Sequence, residues 1–141
     1  MDGVAQWFQE LSALFDHIGL RVENITRSRA FYVATLAPLN IQLVTATDEV
    51  AGFASAGTTP ETVQTSLSFW IYRAAGAPTP VHLAFRARKC DQVDAFWRAG
   101  LRSGGADNGP PGIRASYHPH YYGAFVLDPD GHNIEAVCHA S

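Results

Sequence analysis

An internal duplication constrains this chain more than any other feature of its sequence. The stretch HIGLRVENITRSRAFY, which begins at His17, aligns without a gap with HLAFRARKCDQVDAFW, which begins at His82. Both stretches start with histidine, and Phe31 aligns with Phe96. The similarity continues into the flanking patterns, so we interpret it as a duplicated module. With 141 residues and 47% hydrophobic residues, the chain is long and apolar enough for the two modules to share one compact domain.

Each module begins with a strand whose residues alternate in character, which is typical of a sheet with two different faces. Ile18 and Leu20 share the apolar face of the first strand, while His17 and His82 fall on the less apolar faces of their strands. A helix follows in each module. The first is predicted over 26–36 and ends before a proline, and the second is predicted to begin at Asp91 as its N-cap.

Three strands are predicted after each helix. They are IQLVTA, VAGFASAG and TSLSFWIYR in the first module, and RASYH, YGAFVL and NIEAVCH in the second. GGADNGPPG, residues 104–112, is predicted to be a loop rich in Gly and Pro, and residues 74–80 a linker. The sequence thus predicts an α+β protein with two tandem βαβββ modules, spanning residues 16–73 and 81–139 of a single domain.

Residues 1–15 precede the first module and predict a helical extension. Its apolar residues recur at helical spacing: Val4, Trp7, Phe8, Leu11, Leu14 and Phe15. The polar face carries no basic residue, which favours packing on the domain or on a dimer partner over a membrane anchor.

Charge and composition exclude several classes of function. The net charge is −3 and no basic run is present, so nucleic acid is not expected as a partner. No apolar stretch approaches the roughly 20 residues that cross a bilayer, and the N-terminus does not look like a signal peptide. We therefore expect a cytoplasmic protein with no membrane partner. The chain contains no Walker loop, no GxSxG elbow and no CxxC pair.

The strand NIEAVCH places a carboxylate, Glu135, within an otherwise apolar run. Burying an unpaired carboxylate is costly, so this residue needs a partner. Together with His17 and His82 it makes a set of two imidazoles and one carboxylate, which suits a divalent first-row cation and leaves positions for water or substrate. The alternative is a structural ion pair between Glu135 and Arg21 or Arg86.

At this point the chain resembles the vicinal oxygen chelate superfamily, which includes glyoxalase I, fosfomycin and bleomycin resistance proteins and extradiol dioxygenases. The motifs that carry the resemblance are DHIGLRV, RSRAFY with LAPL, VHLAFRA and YHPHYYGAFVLDPDGHNIEAV, within which DPDG-x-x-IE is the most specific. The resemblance implies curved mixed sheets that curl around a shared cavity. It also implies metal ligands at His17, His82 and Glu135.

The resemblance has one departure. Glyoxalase I has a fourth ligand, a glutamate, on the strand that corresponds to TSLSFWIYR, and this strand contains no acidic residue. A true glyoxalase reaction is therefore less favoured, and a three-ligand set is closer to fosfomycin resistance proteins and extradiol dioxygenases.

Several polar and aromatic residues are further candidates for the site. His118, His120, Tyr121 and Tyr122 lie near the strand that leads to the DPDG turn, and each could act as a general acid or base. The alternative for this cluster is that its rings line a loop and pack on the sheet. Candidates for binding substrate are Arg114, which could hold an anionic group, and Trp70. His132 and His139 are interpreted as solvent-exposed residues.

Two functions remain open from the sequence. The first is an enzyme that uses a divalent metal (Mn, Fe, Ni or Zn) and acts on a small oxygen-rich molecule as a lyase, isomerase, dioxygenase or thiol transferase. The second is a metal-free protein that binds a small molecule, as bleomycin resistance proteins do. Retention of the three candidate ligands favours the enzyme. By resemblance, we expect a homodimer.

Overall fold

The computed structural model describes residues 14–66 and 68–139, and it confirms the duplicated α+β architecture. Module one contains β1 (His17–Val22), α1 (Ile25–Leu36), β2 (Ile41–Ala46), β3 (Val50–Ser55) and β4 (Ser68–Arg73). Module two contains β5 (His82–Arg86), α2 (Cys90–Arg102), β6 (Ala106–Ile113), β7 (Tyr122–Leu127) and β8 (Asn133–Cys138). Short 3₁₀ helices at Ala37–Leu39 and Val63–Thr65 complete the described elements.

Each module forms one mixed four-stranded sheet, and the two sheets have the same strand order. In module one the order is β1-β4-β3-β2, and in module two it is β5-β8-β7-β6. The first and last strands of each module are parallel neighbours, while the other pairs are antiparallel. The sheets are curved but not closed.

The predicted alternation of the first strand is confirmed. Leu20 and Val22 are 3% and 0% exposed, whereas His17 and Arg21 are exposed. The apolar face of each sheet packs on the helices, which also pack against each other, so both modules contribute to one core. The other face of each sheet, which we call the open face, carries His17 and Trp70 in module one and His82 and Glu135 in module two.

The helix boundaries follow from local capping. α1 starts after Asn24, whose side-chain oxygen accepts a hydrogen bond from the Arg27 N–H at 3.0 Å. The predicted N-cap of α2 is wrong, because Asp91 lies inside the first turn. The oxygen of the Gln92 side chain reaches back to the N–H of Lys89 at 3.0 Å, and this contact starts the helix one residue before Asp91.

The prediction for 104–118 also needs correction. Most of the expected loop forms strand β6, and RASYH, expected to be a strand, follows β6 and contains a turn. β6 is an edge strand whose pairing with β7 shifts register on both sides of Gly109. Proline lacks an N–H donor, but edge strands and bulges tolerate this loss, so a GPPG sequence can belong to a sheet.

The DPDG turn joins the two modules. Asp128 is 4% exposed and accepts a hydrogen bond from the Tyr32 hydroxyl of module one at 2.6 Å. Burial first, and then the neighbouring Asp128, raise the pKa of the Tyr32 phenol well above its usual value. Asp130 accepts from the Glu23 N–H at 3.2 Å and from the Ser28 hydroxyl at 3.3 Å. This turn therefore holds the start of β8 against α1.

The predicted N-terminal helix falls largely on residues 1–13, which lie outside the described residues. Of its apolar positions, Leu14 and Phe15 are described, and both are exposed. Within 14–66 and 68–139, no helix combines the length and the apolar character needed to cross a membrane.

Candidate functional site

Glu135 lies in the middle of β8, between Ala84 of β5 and Phe125 of β7. Its side chain is on the open face of the module-two sheet, yet the residue is only 1% exposed. A carboxylate buried to this extent must be compensated by hydrogen bonds or charge. The described residues provide two such contacts.

The first contact is with His82, the residue at the start of β5. Its Nε2 lies 2.9 Å from Oε2 of Glu135, and the imidazole is 52% exposed. The alternative ion pair with Arg21 or Arg86 is absent among the described residues, where Glu135 has His82 as its ion-pair partner. The pair is thus open to solvent on the imidazole side and buried on the carboxylate side.

The second contact is with Tyr121, whose hydroxyl donates to Oε1 of Glu135. The adjacent Gly123 makes this contact possible, because a Cβ there would be 3.1 Å from the Tyr121 ring and 3.3 Å from Oε1. Burial, followed by the hydrogen bond to Glu135, raises the pKa of the Tyr121 phenol. Tyr121 is therefore a protonated donor at neutral pH.

His17 lies apart from this pair. It is on the open face of the module-one sheet, 62% exposed, with Nδ1 2.6 Å from Oδ1 of Asp16. Within the described residues no three His, Cys, Asp or Glu side chains come close enough to hold a metal ion. One chain therefore brings together two of the three predicted ligands, and the imidazole and carboxylate of that pair fit a divalent cation as a partial site.

Trp70 occupies the position in module one that Glu135 occupies in module two. Trp70 pairs with Gly19 on β1, just as Glu135 pairs with Ala84 on β5. The indole lies over Gly52, where a Cβ would come within 2.6 Å of the ring, and its N–H donates to the Ser68 hydroxyl at 2.8 Å. The open face of module one is therefore aromatic where that of module two is acidic.

Two of the predicted histidines lie in the turn before β7. His118 accepts the N–H of His120 on Nδ1 at 3.0 Å, so its Nε2 carries the proton and donates to Nδ1 of His139 at 2.7 Å. The rings of His118 and His139 also contact the Tyr121 ring. His120 is exposed, and His139 is exposed as predicted. Burial and then the nearby His118 lower the pKa of His139.

Tyr122 lies away from the pair, contrary to its predicted catalytic position. It precedes Gly123 on β7, so its side chain points to the helix side of the sheet, where its hydroxyl donates to Asp94 at 2.6 Å. The period of a strand separates Tyr121 and Tyr122 onto opposite faces. Arg114 follows β6, and its guanidinium lies over the Phe125 ring.

The prediction that His132 is exposed is wrong. The residue is 1% exposed, its Nδ1 accepts the N–H of Val81 at 3.0 Å, and its Nε2 donates to the carbonyl of Arg21 at 2.9 Å. It therefore fixes the residue before His82 to the first strand of the other module. Sequence reasoning missed this role, and the position of His132 inside the DPDG turn motif was the available signal.

The sequence also matches a known family. Residues 14–136 match the profile of the Glyoxalase/Bleomycin resistance protein/Dioxygenase superfamily. The chain belongs to this superfamily. The match covers both modules, so the duplicated frame and the family assignment agree. No curated protein matches the chain significantly.

Solved structures support the same assignment. A glyoxalase/bleomycin resistance protein from Albidiferax ferrireducens T118 is 30% identical, with a TM-score of 0.73 over 89% of this chain and 98% of that chain. A glyoxalase-related enzyme from Fulvimarina pelagi is 18% identical, with a TM-score of 0.64 over 88% of this chain and 86% of that one. A glyoxalase/bleomycin resistance protein/dioxygenase family enzyme from Burkholderia phytofirmans PsJN is 13% identical, with a TM-score of 0.63 over 89% and 98%. The last two support the fold alone.

Proposed function

We propose that the protein is a divalent-metal-dependent enzyme that acts on a small oxygen-rich molecule, as a lyase, isomerase, dioxygenase or thiol transferase. The observation that supports this most directly is the buried Glu135 carboxylate, with Oε2 2.9 Å from Nε2 of His82. Among the described residues no Lys or Arg neutralises this carboxylate. An imidazole and a carboxylate next to each other on the open face suit Mn, Fe, Ni or Zn.

The third ligand in this proposal is His17 of a second copy of the chain. His17 is largely exposed and lies on the first strand of the other module, on an open face. A homodimer with twofold symmetry would bring module one of each copy against module two of the other, forming two equivalent sites. Each site would then contain His17 from one copy with His82 and Glu135 from the other.

The side chains around His82 and Glu135 have separate roles in the proposed enzyme. A bound divalent cation would polarise two adjacent substrate oxygens and stabilise negative charge that develops on them. Tyr121 holds Glu135 in place and keeps a phenolic proton beside the substrate position, because its pKa is raised. His118 and His139 pack on the Tyr121 ring and limit its movement.

Metal content tests this proposal. We expect near-stoichiometric metal in protein purified without an affinity tag, measured by mass spectrometry, or after reconstitution with each of the four cations. His82→Ala and Glu135→Gln should each weaken binding by about a hundredfold, since each removes one of few ligands. Glu49→Gln is the control, because that carboxylate is 62% exposed and pairs with Arg73. Wild-type protein that binds none of the four cations would contradict the proposal.

Mixing two variants that each lack one metal ligand tests whether the site spans two copies of the chain. His17→Ala and Glu135→Gln chains are unfolded together, refolded and reloaded with metal. In each mixed dimer, one of the two sites receives intact ligands from both chains. Because about half of the refolded dimers are mixed, about a quarter of all sites should regain metal binding. No recovery, with dimers present by light scattering, would argue against a site shared between copies.

A second function is favoured by a specific observation. Both oxygens of Glu135 already have hydrogen-bond partners in the chain, His82 and Tyr121. A metal-free protein that binds a small molecule would need no further ligand, and Trp70 and Tyr72 lie on the module-one sheet face that would contact an aromatic compound. Aromatic ligands that bind equally well with and without chelator, together with no metal uptake, would support this function.

A further inference from the structure

Arg114 follows β6 at the edge of the module-two sheet, where its side chain lies over Phe125 on the open face. Its guanidinium carbon lies 5.5 Å from the centre of the Phe125 ring, and its Nη2 donates to the carbonyl of Pro110 at 2.6 Å. Cation–π contact and the carbonyl bond fix the guanidinium in one place. The side chain is therefore ordered by contacts within module two.

The edge strand β6 is shaped around this guanidinium. A Cβ at Gly109 would lie 3.3 Å from Nη2 of Arg114, and a Cβ at Gly112 would lie 3.1 Å from Nη1. Both distances are shorter than ordinary van der Waals contact, so a side chain at either position would require the guanidinium to shift by a few tenths of an ångström. The two glycines of the GPPG sequence thus form a cradle for Arg114.

This guanidinium has no carboxylate partner among the described residues. It takes part in none of their four ion pairs. Other carboxylates of module two are engaged elsewhere: Asp107 accepts from the Trp97 N–H, and Asp94 accepts from the Tyr122 hydroxyl. Arginine has five N–H donors in the plane of its guanidinium, and the Arg114 hydrogen bond to the Pro110 carbonyl uses one of them.

The position of Arg114 relative to Glu135 limits what a ligand can be. Phe125 pairs with Glu135 on one side and with Gly109 on the other, so all three lie in one row across the sheet. Neighbouring strands are about 4.8 Å apart, which places the guanidinium roughly 10 Å from the Glu135 carboxylate. A small molecule can reach both groups at once.

We propose that the ligand of this site is a small organic acid whose carboxylate binds Arg114 above Phe125. The other end of the ligand, which carries the reacting oxygens, lies at His82 and Glu135. This second placement rests on the proposed function. Arginine binds a planar carboxylate through two parallel hydrogen bonds, a geometry that the cradle leaves open. The carboxylate subsite lies wholly within module two, so it needs no second copy of the chain.

Matched pairs of charged and uncharged ligands test this proposal. Benzoate is compared with benzamide, phenylacetate with phenylacetamide and glycolate with glycolamide, by ligand-observed NMR and calorimetry on the full chain. We expect the wild type to bind at least one acid about tenfold or more tighter than its amide, because hydrogen bonds between charged groups are the strong ones. Equal binding within every pair, or no binding of any acid, would overturn the proposal.

Three variants test whether Arg114 causes the preference for acids over amides. Arg114→Gln should abolish the preference for acids, and Arg114→Lys should leave a smaller one, since it keeps the charge but loses the planar fork. Arg98→Gln is the control, because Arg98 is exposed on α2. If Arg114→Gln fails to fold, the lysine variant carries the test. A preference that stays at its wild-type value in the Arg114 variants would overturn the proposal.

Metal uptake separates this proposal from the proposed function. Arg114→Gln should bind metal like the wild type, because Arg114 is two strands away from Glu135. Wild-type protein that binds no metal but prefers acids through Arg114 would refute the metal enzyme and support the acid subsite. Metal uptake without any preference for acids would support the metal enzyme and refute the acid subsite.

Discussion

The open faces of the two modules share one backbone frame but carry different chemistry. In each module the last strand is the parallel neighbour of the first, and Trp70 and Glu135 occupy equivalent positions in that pairing. Module one presents an indole there, whereas module two presents a buried carboxylate. The two modules thus share one sheet topology, while the side chains at these equivalent positions differ in chemistry.

Each module accommodates its side chain in the same way. Gly52 leaves room for the Trp70 ring, and Gly123 leaves room for the contact between Tyr121 and Glu135. In both modules the glycine lies on the strand next to the side chain that it serves. Close approach of a ring or a carboxylate to the sheet therefore requires a neighbouring residue without a side chain.

The largest expected effect tests whether the two modules contribute equally to the stability of the core. Phe31 and Phe96 align in the duplication, and both are 0% exposed. Phe31→Ala and Phe96→Ala should each lower the free energy of unfolding by about 3–5 kcal/mol, the usual cost of removing a buried aromatic ring. Urea denaturation followed by circular dichroism measures this. The control Val33→Ala, at a position 42% exposed, should change stability by less than about 0.5 kcal/mol. A core contribution confined to one of the two modules would refute equivalence.

A smaller difference is expected at the next position of the helices, where Tyr32 aligns with Trp97. The Tyr32 hydroxyl is buried and bonded to Asp128, while the Trp97 N–H donates to Asp107 at an exposed site. Tyr32→Phe should cost about 1–3 kcal/mol because it leaves a buried carboxylate oxygen unpaired. Trp97→Phe should cost about 1 kcal/mol or less in the same denaturation assay. A loss of stability in Tyr32→Phe no larger than the loss in Trp97→Phe would contradict a special contribution from the buried Tyr32–Asp128 hydrogen bond.

The third prediction gives the open face of module one the carboxylate found in module two, and it depends on the proposed metal site. Trp70→Glu introduces a carboxylate at the position equivalent to Glu135. If the faces of two copies meet, metal affinity should rise by about tenfold, since a further anionic ligand is added. Calorimetric titration with each cation measures this change. Trp70→Gln is the isosteric control, and the same affinity in both variants would show that the faces do not share a site.

The smallest effect concerns alkaline pH and a phenol of module two. The hydrogen bond to Asp94, followed by burial, raises the pKa of Tyr122 to about 12. Because the folded pKa exceeds the unfolded value of about 10, this contribution is complete below pH 10 and is lost as the pH rises toward 12. Tyr122→Phe should therefore flatten the decline of the urea midpoint above pH 10. An unchanged slope would show that this hydrogen bond does not contribute to stability.

Much of the frame could be predicted because it depends on local periodicity. Alternation in β1 identified its buried and open faces, and the buried residues Leu20 and Val22 confirm them. Glu135 and His82 could be proposed as partners because each interrupts the same kind of face. The failure at β6 has a local cause as well, since Gly and Pro are typical of loops but are tolerated in a bulged edge strand.

The sequence by itself determined the two βαβββ modules, the superfamily and the carboxylate on β8 that needs a partner. Only the tertiary structure decided that His17 lies apart from His82 and Glu135, that His132 and the DPDG turn join the modules, and that Arg114 lies in a glycine cradle. The physical reason is that periodicity reports which face of an element is buried. The orientation of one module against the other depends instead on helix packing and buried hydrogen bonds between residues far apart in the chain.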